Sequence, residues 1–515
     1  MEMPTVPEFY AGRNIFVTGA TGFLGKVLIE KLLRCCPDIN GIYMLMRPKR
    51  GHTVAERLKD LVESKIFEKL KTTSPNYGEK LHAIAGDIME PDLGISQSDA
   101  EFLANEISVV FHSAATIRFD EPLRVAVTMN LLAVRAMINL CKTFKQLDAF
   151  IHVSTAYANC DRTHIEETVY DPPVDPQKII DALEWMDDET VEQLTPGLIK
   201  PKPNTYTYTK QLAESLLLNE GKGLPLAIVR PSIVTASWQE PMPGWIDNLN
   251  GPSGMYIAAG KGLLKSVLCD SDAVADIIPV DMPTNMLILV GWYTATHKPR
   301  EVLVYHSTTG TVNPFTWGQM VDVGMAYFKD QPLNACFRRP KLALTVSPWL
   351  HNYWMFVSHM IPAYVTDLAF RLAGKKPRMV KTYNKMHRSL STLNFFTLRT
   401  WEWTYKNIDC LKKALSEEDK KIFYYDPRLI HWPSYIENYC NGTRIYILNE
   451  TLTNVPAARA HIRKLRNIRY VFNTVVIVAL WRFLVARTDI ARNLWMFIMT
   501  LVYKFVRMTH ITSTR

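Results

Sequence analysis

Tyr206 and Lys210 lie four residues apart, a spacing that brings both side chains to one face of a helix. Among the 22 tyrosines, Tyr206 is the one that has a lysine at that distance. A phenol can donate the proton that a carbonyl oxygen requires when hydride reaches the carbon, and a nearby ammonium favours the phenolate and lowers the phenol pKa. The pair therefore predicts a carbonyl reductase with Tyr206 and Lys210 as catalytic residues. An incidental pair on a structural helix is the alternative.

Two hydroxyl side chains precede this helix in the sequence. Ser154 and Thr155 end an apolar run, Ala149–Thr155, that predicts a buried strand. A hydroxyl at the end of a strand can bind the carbonyl oxygen and stabilise its developing negative charge. Ser154 and Thr155 are both candidate catalytic residues, and the sequence does not choose between them.

The first predicted strand of the chain ends in a glycine-rich turn. The apolar run Asn14–Thr18 is followed by glycines at 19, 22 and 25 and by a helix-periodic stretch. This arrangement is typical of a dinucleotide phosphate site: Gly19 makes the tight turn, Gly22 lets the backbone approach the pyrophosphate, and Gly25 allows close packing of helix on strand. A structural turn is the alternative. The candidate cofactor-binding residues of this segment are Thr18, Gly19, Thr21, Gly22, Phe23, Leu24 and Gly25.

The residue after the second predicted strand indicates which dinucleotide binds. The strand Gly41–Met46 is followed by Arg47, and no Asp or Glu is present there to hold a ribose 2′-hydroxyl. An arginine at this point accommodates the additional phosphate of NADP. We therefore predict NADPH as the cofactor, with Lys210 hydrogen-bonded to its nicotinamide ribose. A solvated basic loop is the alternative for Arg47.

Strands and helices continue to alternate after this point. A third predicted strand ends at Asp87, an acid suited to the adenine edge. A fourth ends in Ala114 and Ala115, where small side chains let a cofactor pass closely. The succession predicts an α/β fold of the Rossmann type, a doubly wound parallel sheet covered by helices on both faces. Ligands of such folds bind beyond the carboxyl ends of the strands, where these residues lie.

Length and composition define the class of the protein. At 515 residues the chain is too long for one core, and its 48% hydrophobic and 21% charged content is ordinary for a folded protein. The net charge of +9 is dispersed outside the C-terminal region, which argues against a nucleic-acid reader and favours phosphate-bearing ligands or an anionic membrane. Eight cysteines without C-x-x-C spacing, and an N-terminal segment without a signal-peptide pattern, predict reduced thiols facing the cytosol.

The composition changes past residue 340. The stretch 342–372 is rich in Trp, Tyr and Phe, and it predicts a pair of buried helices. An apolar lid or channel for an acyl chain is the alternative. His359, His387 and His431 have no ligand-like spacing, so we predict no metal site.

The C-terminal region predicts a membrane anchor. Tyr470–Ala486 is an apolar stretch of 17 residues, the lower limit for crossing a bilayer, and Arg482 near its end can snorkel. For a second run, Asn493–Val506, three interpretations are open: a returning span, an interfacial helix, or neither. For the first run, a buried core helix is the alternative. Five basic residues precede the first run and place the large domain on the cytosolic side: Arg459, Arg463, Lys464, Arg466 and Arg469.

We divide the chain into a cofactor-binding domain (1–335), a smaller, mainly helical domain (336–465) and a membrane-anchor tail (466–515).

Four motifs carry a family resemblance: TGATGFLG (18–25), HVSTAY (152–157), NTYTYTK (204–210) and IVRPSI (228–233). They resemble the extended short-chain dehydrogenase/reductase superfamily and, within it, the fatty acyl-CoA reductases of the animal alcohol-forming type, the second isoform in particular. Residues 243–254 are similar to the substrate-side loop of that family, and residues 431–439 to the end of its C-terminal helical domain. The resemblance adds Pro231, Ser232 and Ile233 to the candidate cofactor-binding residues.

This resemblance implies NADPH-dependent reduction of a long-chain acyl-CoA to a primary alcohol and free CoA, for the synthesis of ether lipids and waxes. Two hydrides are required: the first gives a hemithioacetal that collapses to aldehyde, and the second reduces the aldehyde while Tyr206 protonates the alkoxide. The resemblance favours the peroxisomal membrane, with the endoplasmic reticulum as the alternative. It implies the import machinery of peroxisomal membrane proteins as a partner and leaves a homo-oligomer open.

Two other functions remain open at this stage. One is a membrane-tethered hydroxysteroid dehydrogenase or nucleotide-sugar epimerase on the same fold, which would release no CoA thiol. The other is a catalytically silent NADP(H)-binding scaffold held at a membrane. Tyr206, Lys210 and Ser154 argue against the scaffold, because a scaffold requires none of them.

Overall fold

The centre of the protein is a parallel β-sheet of seven strands. The computed structural model describes residues 3–49 and 51–512. The strands of this part of the chain are β1 (Asn14–Thr18), β2 (Gly41–Met46), β3 (Leu81–Ala85), β4 (Ile107–His112), β5 (Ala149–Val153), β6 (His164–Ile165), β7 (Leu226–Pro231), β8 (Ile233–Thr235), β9 (Ser266–Leu268), β10 (Ile277–Pro279), β11 (Leu303–Ser307), β12 (Ala343–Thr345) and β13 (Glu402–Trp403). The large sheet has the order β11-β7-β5-β4-β1-β2-β3, and the other strands pair as β8 with β10, β9 with β12 and β6 with β13.

Helices account for most of the remaining chain. They are α1 (Val6–Tyr10), α2 (Phe23–Cys35), α3 (Val54–Val62), α4 (Glu68–Thr73), α5 (Gln97–Glu106), α6 (Leu123–Val127), α7 (Ala133–Lys142), α8 (Pro176–Trp185), α9 (Asp188–Leu198), α10 (Thr205–Glu220), α11 (Pro252–Gly260), α12 (Asp281–His297), α13 (Trp317–Asp330), α14 (Pro348–Trp354), α15 (Ile361–Leu372), α16 (Met379–Ser391), α17 (Asn394–Thr397), α18 (Lys406–Ala414), α19 (Glu417–Ile422), α20 (Trp432–Gly442), α21 (Val455–Arg487) and α22 (Asp489–Thr512). Short π-helical turns join α6 to α7 (Thr128–Leu132), join α14 to α15 (Met355–Met360) and extend α20 (Thr443–Ile447).

The strand order confirms the predicted doubly wound sheet. β1, β2 and β3 extend to one side of β4, and β5, β7 and β11 extend to the other. Alternate residues of β1 enter different cores: Ile15 and Val17 pack with α2 and α12, whereas Phe16 packs with α7 and α10. Helices therefore cover both faces, which explains why β1, β4, β5 and β7 are buried along their whole length. The change of direction between β1 and β4 opens a crevice at their carboxyl ends, where such folds bind ligands.

The segment after residue 336 packs directly on the earlier part of the chain. Its strands β12 and β13 pair with β9 and β6. The Tyr424 hydroxyl donates to the Asp281 carboxylate at 2.7 Å, and the Tyr435 hydroxyl donates to the Ala236 carbonyl at 2.8 Å. One hydrophobic cluster joins side chains from both parts, among them Tyr256 and Trp432. The two parts share a core, and the boundary at residue 336 stays a prediction.

The aromatic stretch after residue 347 is exposed, so the predicted pair of buried helices is wrong. α14, the π-helical turn and α15 follow one another without a break and are here called the aromatic helix (Pro348–Leu372). Three of its residues are buried: His359, Ala363 and Asp367. Its large apolar side chains point outward instead, because small and polar residues occupy the side of the helix that faces the protein.

Two long helices occupy the C-terminal region. The predicted anchor stretch forms the second half of α21, whose apolar part is exposed and is long enough to cross a membrane. The segment Leu123–Lys142 is also long and apolar, but half of it is buried against the sheet, as expected for a core helix. Trp481 and Trp495, at equal distances from Thr488, have ring centroids 6.0 Å apart, so α22 folds back along α21. The chain therefore has the exposed apolar helix that membrane association requires.

Candidate cofactor and active site

The glycine turn between β1 and α2 leaves no room for larger residues. Gly19 has a φ of +78°, and a Cβ there would lie 2.7 Å from Ser113 Oγ and 2.8 Å from the Ala114 nitrogen. A Cβ on Gly25 would lie 2.3 Å from the Gly19 carbonyl oxygen. Gly22 is the N-cap of α2 and has no side chain that could cap the helix. The first backbone N–H groups of this 13-residue helix are therefore left open to a ligand. This geometry fits a dinucleotide pyrophosphate, since helix N-termini favour anions.

The loop after β4 is tied to the glycine turn by hydrogen bonds. Thr18 Oγ1 lies 2.8 Å from His112 Nδ1 and accepts the Ala114 N–H at 3.2 Å. The Ser113 hydroxyl donates to the Thr18 carbonyl at 2.7 Å. Ala114 and Ala115 therefore lie at the crevice edge of the sheet, beside the turn that would hold the cofactor.

Two arginines lie at the carboxyl end of β2. Arg47 is exposed and pairs with Asp87, with 3.0 Å between Nη1 and Oδ2. Arg57, from α3, donates to the Thr21 hydroxyl at 3.1 Å and to the Arg47 carbonyl. Burial and the charge of Arg47 lower the pKa of Arg57, so an anion between the two arginines would be stabilised. This arrangement fits the 2′-phosphate of NADP. The carboxylate of Asp87, which was predicted for the adenine edge, pairs with Arg47 in the structure.

Arg57 was missed by the sequence reasoning. The signal that could have found it is a capping box, Thr53 with Glu56, which predicts a helix start just before residue 57. A helix that begins there presents its first turn to the end of β2, where Arg47 lies.

Helix α10 positions the predicted tyrosine and lysine. Asn204 caps the helix by accepting the Thr207 N–H at 2.9 Å. Lys210 is buried and its Nζ donates to the Val153 carbonyl at 2.8 Å. Burial lowers the pKa of Lys210 to about 8. Tyr206, one turn earlier, is half-buried, and its ring centroid lies 5.7 Å from that of Phe119.

The two hydroxyls after β5 have different surroundings. The Thr155 hydroxyl lies close enough to Tyr206 to lower the pKa of its phenol, and Thr155 Oγ1 donates to the Pro231 carbonyl at 3.5 Å. The Ser154 N–H donates to the Val229 carbonyl at 2.8 Å. The buried Ser154 hydroxyl has no hydrogen-bond partner in the described part of the chain. Of the two candidates, Thr155 is therefore the one whose hydroxyl acts on the pKa of Tyr206.

The pKa of Tyr206 is raised rather than lowered. Burial raises it to about 12, and the hydrogen bond with Thr155 acts in the other direction with a smaller effect. The lowering predicted from Lys210 is not found, because desolvation of the phenolate dominates and the ammonium is turned to Val153. Tyr206 is consequently a neutral phenol at physiological pH. That state suits a proton donor, since an alkoxide is a stronger base than phenolate and can still take the proton.

A buried ion pair holds α10 on the sheet. Arg230, on β7, donates to both carboxylate oxygens of Glu214, at 2.8 and 2.7 Å, and both side chains are fully buried. Arg230 also donates to the carbonyls of Glu166 and Thr168, at 3.1 and 2.7 Å. Glu214 lies one turn after Lys210 in α10, and its charge raises the pKa of that lysine against the effect of burial. The pair therefore both positions α10 and favours the charged form of Lys210.

The remaining predicted cofactor residues lie at the same edge of the sheet. Pro231 ends β7, and Ser232 and Ile233 lead into β8. The Ser232 N–H donates to the Ser307 carbonyl at 3.0 Å, which continues the pairing of β7 with β11. Because β7 lies beside β5, this segment follows the sheet edge next to Thr155.

The predicted substrate-side loop (243–254) contacts both the cofactor helix and the C-terminal segment. Trp245 stacks on Phe23 at the start of α2, with ring centroids 5.2 Å apart. On the other side the contact is backbone to backbone: a Cβ on Gly442 would lie 1.7 Å from the Gly244 carbonyl oxygen. The loop therefore bridges the cofactor crevice and α20, and it does so through glycines that no other residue can replace.

The histidines of the C-terminal segment make hydrogen bonds within the protein. His359 Nδ1 lies 3.0 Å from His387 Nε2, and His431 Nδ1 lies 2.8 Å from the Ser434 hydroxyl. Across residues 3–49 and 51–512, no group of three or more His, Cys, Asp or Glu side chains is arranged to hold a metal ion.

Comparison with known proteins agrees with this geometry. A family model for an NAD-binding domain, described as "Male sterility protein", matches residues 17–287, and a second model of the same description matches residues 358–450. Among solved structures, the reductase domain of a nonribosomal peptide synthetase from Mycobacterium tuberculosis superimposes with a TM-score of 0.57 at 19% identity, covering 87% of this chain and 94% of that one. At that identity the likeness shows the fold alone.

Curated relatives match over the whole length. Fatty acyl-CoA reductase 1 of Homo sapiens is 49% identical over 512 residues, 99% of each chain. Fatty acyl-CoA reductase 2 of Bos taurus is 47% identical, again over 99% of each chain. The two identities are too similar to separate the isoforms. An NAD(P)-binding crevice, a Tyr206–Lys210 pair at its edge and full-length identity of this degree lead to one conclusion: the chain belongs to the fatty acyl-CoA reductase family, a family of oxidoreductases.

Proposed function

We propose that this protein reduces long-chain fatty acyl-CoA to primary fatty alcohol and free CoA, with NADPH as the reductant. The observation that carries the proposal is the contact of Tyr206 with Thr155 at the carboxyl edge of β5, with Lys210 buried one turn along α10. The relatives that match the whole chain at 47–49% identity are named as fatty acyl-CoA reductases, which supports acyl-CoA as the substrate.

The residues of this chain have separate tasks in such a reaction. When bound, NADPH supplies the hydride that each reduction adds to carbon. The hydroxyl of Thr155 is placed to hold the substrate carbonyl oxygen, because it lies close enough to the Tyr206 phenol to lower its pKa. The thioester stage ends when the tetrahedral oxyanion collapses and expels CoA thiolate. At the aldehyde stage, Tyr206 donates its phenolic proton to the alkoxide, which gives the alcohol.

We further propose Thr155 rather than Ser154 as the hydroxyl that acts on substrate. Neighbouring residues at the end of a strand point in opposite directions, so one of the two faces α10 and the other does not. Thr155 faces Tyr206, while Ser154 is enclosed without a partner in the described part of the chain. Ser154 then supports the strand end.

The test of the proposed function is the stoichiometry of the reaction. Detergent-solubilised protein is given palmitoyl-CoA and NADPH, and NADPH oxidation, free thiol and lipid products are quantified. We expect two NADPH oxidised per thiol released, with primary alcohol as the product. One NADPH per thiol with accumulating aldehyde would limit the protein to the first reduction. No thiol release would exclude acyl-CoA and favour a steroid or sugar substrate, or a scaffold.

A second prediction concerns the preference for NADPH. Arg57→Ala removes a guanidinium that is placed beside Arg47 for the 2′-phosphate. A hydrogen bond to a charged group contributes about 1.5–3 kcal/mol, so we expect the Kd for NADPH to rise roughly 10- to 150-fold, measured by fluorescence titration. The Kd for NADH should stay unchanged, because NADH lacks that phosphate. Arg428→Ala, an exposed arginine paired with Asp426, is the control and should leave both constants unchanged. Equal weakening for NADH and NADPH would contradict the assignment of Arg57.

We also propose a location. The apolar half of α21 crosses or enters a membrane, and the five basic residues that precede it favour a cytosolic position for the catalytic part. The family resemblance supports the peroxisomal membrane, reached through the import machinery for peroxisomal membrane proteins, and a role in ether lipid and wax synthesis. The endoplasmic reticulum is the alternative, and imaging of the full-length protein against markers of both organelles distinguishes them.

A further inference from the structure

The aromatic helix is polar towards the protein and apolar towards the outside, the reverse of an ordinary surface helix. On the inner side, His359 Nε2 accepts the Lys265 backbone N–H at 2.9 Å, and the Asp367 carboxylate caps α16 by accepting backbone N–H groups at 2.8–3.0 Å. No Asp, Glu, Lys or Arg occurs between Ser347 and Asp367. The exposed apolar side chains are Trp349, Leu350, Tyr353, Trp354, Phe356, Ile361, Tyr364, Val365, Leu368 and Leu372. A contiguous apolar face of this kind on a folded protein marks a contact surface.

The surroundings of this face are strongly basic. Residues 331–401 contain eleven Lys and Arg but a single acid, Asp367, which is buried. A cleft of about 430 Å³ between α15 and α16 combines the apolar Tyr364 and Leu368 with the cations Arg371 and Lys381. Aromatic and aliphatic side chains bordered by cations are what the interface of an anionic membrane attracts.

The aromatic helix also lies next to the point where α21 leaves the protein. The N-terminal half of α21 is docked: His461 Nε2 lies 2.8 Å from the Cys336 carbonyl oxygen, and Ile462 packs on the shared hydrophobic cluster. Lys265, whose backbone bonds to the aromatic helix, is within electrostatic reach of Arg469 on α21. Burial, Arg338 and Arg469 together lower the pKa of Lys265 to about 7. Tyr470, where the apolar half of α21 begins, directly follows Arg469.

We propose that the outward face of the aromatic helix inserts in the plane of the same membrane that α21 enters, with its basic border on anionic headgroups. A second copy of the chain fits less well, because a twofold contact would bring the basic borders of the two copies together. An attachment through the tail alone leaves the rest of the protein free to rotate about it. Two contacts fix its orientation and hold the substrate-side loop at a constant height above the lipid.

The test places a fluorescent reporter on the face in the full-length protein. Cys410, the exposed one of the eight cysteines, is first changed by Cys410→Ser. Leu368→Cys, or Phe356→Cys as a second position, is then labelled with the polarity-sensitive dye NBD. Leu429→Cys is the matched control, since Leu429 and Leu368 are both 57% exposed and Leu429 lies outside the aromatic helix, on the turn before α20. Each protein is reconstituted in phosphatidylcholine vesicles, with or without phosphatidylserine, whose acyl chains are either plain or brominated.

We expect the dye at 368 and at 356 to show blue-shifted emission and a several-fold loss of intensity in brominated lipid, more strongly with phosphatidylserine. The dye at 429 should emit as in water and stay unquenched. Aqueous, unquenched emission at 368 and 356 in both lipid compositions would overturn the proposal. Blue-shifted emission that brominated lipid does not quench would also overturn it, and its loss on dilution into more lipid would identify a second copy as the occupant. Equal thermal unfolding midpoints show that the labelled variants are folded.

Discussion

Tyr206→Phe should lower kcat for acyl-CoA reduction by about 10²–10⁴-fold, the range in which a positioned general acid contributes. The variant keeps the ring that stacks on Phe119 and removes the phenolic hydroxyl beside Thr155. The Kd for NADPH should be unchanged, because the glycine turn and the arginine pair are untouched. The measurement is NADPH oxidation with palmitoyl-CoA, together with NADPH binding by fluorescence titration.

Tyr208→Phe is the control for this variant. Tyr208 lies on the same helix and is fully buried, and its hydroxyl has no hydrogen-bond partner among the residues that the structure describes. It should therefore retain wild-type turnover. If Tyr206→Phe remains as active as Tyr208→Phe, the proton reaches the alkoxide from another group, and the role proposed for Tyr206 is wrong.

Arg230→Met should destabilise the protein by about 3–5 kcal/mol, the usual cost of leaving one partner of a buried ion pair without the other. Methionine fills a similar volume but leaves the Glu214 carboxylate unpaired inside the core, and the carbonyls of Glu166 and Thr168 lose their donors. The expected result is a marked fall in the thermal unfolding midpoint of the solubilised protein.

The double variant Arg230→Met with Glu214→Leu separates charge from packing. Since no buried charge is left unpaired in it, we expect it to recover much of the lost stability. Its remaining activity should still be reduced, because Lys210 then lacks the carboxylate that favours its ammonium form. A double variant as unstable as Arg230→Met alone would show that the hydrogen bonds to the carbonyls, rather than the charge pairing, account for the loss.

The features that the sequence predicted correctly are those encoded by neighbouring residues. The strands of the large sheet each appear as a short apolar run bounded by turn residues, and their alternation with helices leaves few topologies open. The glycine turn after β1 and the placement of Tyr206 and Lys210 on one helix are likewise local patterns, and their roles in binding and catalysis stay predictions. Each could be tied to a ligand or a reaction because the chemistry depends on spacing along one helix or one turn.

The features that were missed depend on what lies opposite each residue in space. Arg57 reaches Arg47 because α3 docks at the end of β2, and the pKa of Tyr206 is set by burial that no local pattern reveals. The choice between Thr155 and Ser154 depends on which hydroxyl lies towards Tyr206 on α10, and neighbouring positions in the sequence do not reveal this. The aromatic helix was predicted to be buried because its composition is apolar. An apolar composition shows that a segment tends to leave water, but it does not show which surface the segment contacts instead.

The contact between Gly244 and Gly442 limits which segments of this chain can be exchanged with those of a relative. The two residues are almost 200 positions apart, yet their backbones meet so closely that a methyl group on Gly442 would lie 1.7 Å from the carbonyl oxygen of Gly244. Recombination that replaced the C-terminal half of the gene with that of a relative lacking the second glycine would push the two backbones apart. Exchange of the C-terminal half therefore keeps the loop in its place beside α2 only when the incoming half also carries glycine at position 442.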